Sequence, residues 1–140
     1  MGNSISKAIE TYIEDWDWDA ESYEYAFELG KFLFAFIKYL EAQDLSEKTK
    51  RNHINNVSLI GMFEISYGFN EEFEPSNLED GPLFTYEFER KVNDSDYAIQ
   101  SYNSTWRKLD TFIKSGIYET YMNDIEERLA SEAKDSSNSN

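Results

Sequence analysis

The sequence predicts an all-α protein: a single compact bundle of five or six helices with a helix–turn–helix around a central buried helix. Three observations point there. Apolar residues recur three and four apart along most of the chain. Ser or Gly stands at the ends of most of these periodic segments. The stretch from Tyr23 to Leu40 is apolar on most of its circumference, as expected for a helix at the centre of its domain. With 140 residues, the chain has one domain's worth of length. Its 10 Phe, 10 Tyr and 3 Trp argue against the disorder that a net charge of −15 would otherwise suggest.

The first helix is predicted from about Ser4 to Trp16, with Ser4 as N-cap and Ile5, Ile9, Tyr12, Ile13 and Trp16 on one face. The second runs from about Ser22 to Ala42, its charges Glu24, Glu28, Lys31 and Lys38 confined to one narrow wet stripe. Ser46 caps a third helix that reaches about Tyr67 and stops at Gly68. Residues 69–82 hold both prolines and five acids, an acidic loop long enough to be functional or mobile. Residues 83–92 carry strand and helix signals together. A lone strand would have no partner, so a helix is predicted. Ser95 caps a helix through Ser115 that carries Ile99, Tyr102, Trp106, Leu109 and Phe112 and is ended by Gly116. A last helix is expected from about Tyr118 to Ala130. The domain therefore spans 1–130, and 131–140 reads as a mobile polar tail. The expected core is Phe27, Leu33, Phe36, Ile37, Ile60, Trp106, Leu109 and Phe112.

Much chemistry is excluded by composition. Without Cys there is no disulfide, thiol nucleophile or thiolate metal site. The single His53 is expected at the surface, and no nucleophile elbow or phosphate-cradling glycine loop accompanies it. Asp15-Trp16-Asp17-Trp18-Asp19 spaces carboxylates as a calcium loop does. Ala20 and Ala26 stand where that loop needs its turn glycine and its bidentate Glu, so an acidic helix end with two anchoring indoles is the better reading. No catalytic residue, metal or cofactor is expected, and the chain reads as a non-enzyme. The longest apolar run, Phe32 to Ile37, is far shorter than the ~20 residues of a membrane span, so a cytoplasmic protein is expected. The Met1-Gly2-Asn3-Ser4-Ile5-Ser6 start fits an N-myristoylation pattern, and Asn56, Asn93 and Asn103 head N-x-Ser/Thr sequons.

The stretch Phe36-Ile37-Lys38-Tyr39-Leu40-Glu41-Ala42-Gln43-Asp44-Leu45-Ser46-Glu47-Lys48-Thr49-Lys50-Arg51-Asn52-His53-Ile54 resembles part of a known family. It is similar to the SAM-like N-terminal, core-binding domain of tyrosine recombinases (phage integrases), whose pattern is an aromatic-aliphatic helix end, an L-S-x-x-T link and a new helix. Trp106 to Ile117 is similar to that family's last helix and exit turn. The resemblance implies a helix–turn–helix and a surface that grips the DNA backbone, here Lys48, Lys50 and Arg51 with His53 nearby. The family's catalytic domain has no counterpart, so no strand-exchange chemistry is implied.

Charge is unevenly placed. Residues 1–25 have one Lys and seven acids, residues 26–66 balance, and residues 67–140 have seven bases and sixteen acids. A globule of this length has a radius of gyration of about 14 Å. Duplex DNA spanning the resulting diameter of roughly 37 Å carries about 22 charges, the same order as this chain's. If Asp15, Asp17 and Asp19 share a face with Glu71 and Glu72, that face could occupy a basic partner as DNA does. The function read from the sequence is thus a small acidic interaction or regulatory protein with a protein partner, a second copy included. The alternative is a nucleic-acid-linked role, as a stand-alone integrase-like domain or as a DNA mimic acting on a DNA-binding protein. DNA binding by the isolated chain is not expected, nor is membrane association.

Overall fold

Three serines start three of the helices by the same local device. The hydroxyls of Ser4, Ser46 and Ser95 accept the backbone N–H of Lys7, Thr49 and Ala98 respectively, satisfying a donor that a helix's first turn leaves unpaired. The computed structural model describes residues 4–68 and 71–137, so the Met1-Gly2 start and Asn138 to Asn140 lie outside the described residues. Its elements are α1 (Ile5–Ile13), α2 (Tyr23–Glu41), α3 (Glu47–Tyr67), a 3-10 turn (Pro75–Leu78), α4 (Thr85–Lys91), α5 (Asp96–Lys114) and α6 (Tyr118–Ser137). No strand occurs among the described residues, and the fold is an all-α bundle.

The helix α2 is central, packing against α1, α3 and α6, while α5 lies on α3. Its residues Leu29, Phe32, Leu33, Phe36 and Leu40 are fully buried. Phe112 of α5 gathers the aromatic core: its ring lies 5.6 Å from Phe32, 5.2 Å from Phe36 and 5.0 Å from Tyr39. Residues 83–92 resolve as the short α4, anchored where Phe88 stacks on Tyr102 at 4.3 Å.

Several expectations change in three dimensions. The helix α1 stops at Ile13, yet Trp16 remains only 2% exposed, because glycines on α2 and α3 leave room for its ring. Phe27 and Ile37 are half-buried rather than core, since they flank the faces of α2 that its neighbours cover. Lys31 is not in a wet stripe but 7% exposed. Its ammonium lies 2.8 Å from Glu28 and 2.9 Å from Glu126, linking α2 to α6. Burial opposes its charge, but hydrogen bonds to Glu126 and Glu28 outweigh that and raise its pKa. The helix α6 continues past Ala130 into the segment expected as a tail. There Glu132 accepts the backbone N–H of Ile5 and of Ser6 and the Ser4 hydroxyl, capping α1 from the far end of the chain. The bond from Ile5 is the main cause that lowers the Glu132 pKa.

Candidate interaction surface

The link between α1 and α2 is fixed at both ends. The Trp18 indole donates to the Ile13 carbonyl at 2.8 Å. Asp19 and Ser22 bond reciprocally: the Asp19 N–H donates to the Ser22 hydroxyl at 3.0 Å, and the Ser22 N–H donates to the Asp19 carboxylate at 2.9 Å. The second of these bonds is the main cause holding Asp19 below the ordinary carboxylate range. The segment after α3 is pinned too, because Phe73 packs edge-on against Tyr25 at 5.9 Å and lies 5.4 Å from Phe32.

These constraints bring the two acidic segments together. Asp19, Glu71 and Glu72 line one open groove of about 670 Å³. Glu21, Glu24 and Glu28 line the same groove, with Tyr25 and Phe73 forming apolar parts of its wall. No Lys, Arg or His is among the described residues that line it. Glu64 also lines it, although it is only 3% exposed, and its carboxylate accepts from the Tyr25 hydroxyl at 3.0 Å. A side chain at Gly68 would collide with that carboxylate, its Cβ 2.2 Å from Glu64 Oε1, which explains a glycine there in an ordinary extended conformation. Asp15 and Asp17 are exposed on the same link but do not line the groove. Among the described residues no three carboxylate or imidazole groups are placed to hold a metal ion.

The basic set is dispersed. Lys48 and Arg51 are exposed. Lys50 instead reaches back and donates to the Glu41 carbonyl at 3.0 Å, closing the C-terminal end of α2. His53, expected at the surface, is 5% exposed and bonded to Thr105, so it belongs to the α3–α5 interface and not to a basic patch. Burial first, and the charge of Lys108 second, lower its pKa.

Beside the acidic groove lies a feature not singled out in the sequence. Trp18, Tyr23 and Phe27 form a file of rings with centroids 5.1 Å and 6.1 Å apart. Tyr23 and Phe27, with Ser6, Glu24 and Glu28, line a second open pocket of about 450 Å³. Desolvation, and then the charge of Glu10, raise the Tyr23 pKa. The sequence signal was the Tyr23–Phe27 spacing of four on α2, there assigned to a buried face.

Comparison with family models, curated proteins and solved structures finds no match to this chain. No described helix is long and apolar enough to cross a membrane.

Proposed function

We propose that this protein is a small non-catalytic interaction protein that holds a basic protein partner in its acidic groove. One observation carries the reading. Carboxylates from the α1–α2 link, from α2 and from the segment after α3 line a single groove that no described basic side chain lines. Such a surface attracts cationic partners, speeds their encounter and does so less at high salt. Aromatic wall residues between the carboxylates give the groove area to bury as well as charge to present.

The test uses a fluorescent oligolysine peptide as the basic probe. It binds the wild type, with affinity that falls as salt rises, and a Glu24→Gln/Glu71→Gln/Glu72→Gln variant binds it more weakly. Asp15→Asn/Asp17→Asn, outside the groove, has the smaller effect. Equal binding by wild type and the triple variant would refute the proposal. A second reading, mimicry of DNA toward a DNA-binding protein, draws on the same convergence of two acidic segments. It requires in addition that the protein displace duplex DNA from such a partner.

A further inference from the structure

We infer that the partner carries an apolar anchor next to its basic residues, and that this anchor seats in the pocket walled by Tyr23 and Phe27. The inference rests on the acidic-groove reading and adds the chemistry of the partner. Glu24 and Glu28 line both the anchor pocket and the acidic groove, so the two sites meet along one turn of α2. The pocket's walls are two half-buried aromatic rings, and among the described residues its charged lining groups are those two carboxylates, of which Glu28 is already paired with Lys31.

Charge complementarity decides the occupant. A second copy of this chain brings a net charge of −15 to an anionic rim and is repelled. A purely apolar segment takes water from the Glu24 carboxylate and brings it no counter-charge. A segment with Lys or Arg one helical turn from a Leu or Phe satisfies both parts. Glu24 and the pocket wall Phe27 are three residues apart, about 4.5 Å along the α2 axis. A partner helix matches that spacing by placing a cation three or four positions from its anchor. Lysine stems can also lie along the exposed ring faces with the ammonium directed to the carboxylates.

Two synthetic peptides of equal length and charge test this. One carries Leu at helical spacing among Lys residues; the other has Ser in place of each Leu. The Leu peptide binds the wild type about tenfold more tightly, the gain expected for seating one apolar side chain. Tyr23→Ser/Phe27→Ser, checked for an unchanged helical circular dichroism spectrum, brings the Leu peptide to the level of the Ser peptide and leaves the Ser peptide unaffected. The wild-type comparison stands even where that variant does not fold. Equal wild-type affinity for the two peptides overturns the anchor and leaves the acidic groove in place. Absence of binding by either peptide overturns both. A concentration-dependent dimer of the wild type, lost in the double variant, gives the pocket to a second copy and overturns the inference.

Discussion

His53 Nδ1 lies 2.7 Å from Thr105 Oγ1, joining α3 to α5 through a polar contact inside the bundle. Thr105 is fully buried, and its hydroxyl donates to the Ser101 carbonyl at 3.2 Å while accepting from the Asn56 amide at 3.0 Å. The one Thr105 hydroxyl thus meets Ser101, Asn56 and His53 together. A buried hydroxyl with all its capacity used fixes the register of two helices, because any slip leaves polar groups unpaired.

The same imidazole makes the fold sensitive to acid. Burial, and then Lys108, hold the His53 pKa below its ordinary value of 6.5. As pH falls through that ordinary value, the unfolded chain binds a proton that the folded chain does not, so folding stability declines. Relief of carboxylate repulsion acts in the opposite direction, and subtraction removes it because His53→Gln keeps every carboxylate. Between pH ~7 and ~5, the melting temperature of the wild type falls relative to that of His53→Gln. A constant difference between the two proteins over that window would contradict a lowered His53 pKa.

Phe36 sits on the buried face of α2, against the ring of Phe112. It is fully buried, in contact with the rings of Phe112 and Tyr39. Phe36→Ala opens a cavity in a close-packed core and costs about 3–5 kcal/mol of unfolding free energy. Urea denaturation measures it, and a loss below about 1 kcal/mol would mean that the site collapses or that α2 is not central.

The close approach of Trp16 to α3 sets the third prediction. A Cβ at Gly61 would fall 2.4 Å from Trp16 Cη2 and Cζ2, and these are atoms of a rigid, buried ring. In an open helix Gly→Ala gains roughly 1 kcal/mol from propensity. Here the clash displaces the indole at a cost of about 1–3 kcal/mol, so Gly61→Ala is destabilising by up to about 2 kcal/mol net. A raised melting temperature for this variant would show that Trp16 has somewhere else to go.

What could be read from the sequence follows from how local each interaction is. The Ser4, Ser46 and Ser95 caps bind backbone groups three residues on, so the residues themselves announce them. Lys31, His53 and Glu132 owe their environments to partners on other helices, namely Glu126, Thr105 and the start of α1. A polar residue on a helix reads as exposed until the neighbour that satisfies it is known, which is why Lys31 is expected in a wet stripe and His53 at the surface, while Glu132 falls in the segment expected as a tail. The acidic surface was half legible. Asp19, Glu71 and Glu72 stand in obvious acidic segments, but their meeting depends on Phe73 docking against Tyr25 and Phe32. Glu64 offers no local signal, since its partner Tyr25 is 39 residues away.

The last prediction concerns the helix–turn–helix and DNA. Of the four residues that the integrase-like resemblance implicates, His53 is buried and Lys50 is committed to the end of α2. Lys48 and Arg51 remain exposed, three residues apart on one face of α3. Two phosphate contacts correspond to a salt slope of about −2, the signature of weak binding. The net charge of −15 adds long-range repulsion against the same backbone. The isolated chain therefore shows no measurable affinity for duplex DNA at physiological salt, by anisotropy with a labelled duplex. Binding tighter than ~10 µM, abolished in Lys48→Glu/Arg51→Glu, would lie at or beyond ordinary non-specific affinity. It would make the start of α3 a nucleic-acid surface in spite of the acidic groove at its other end.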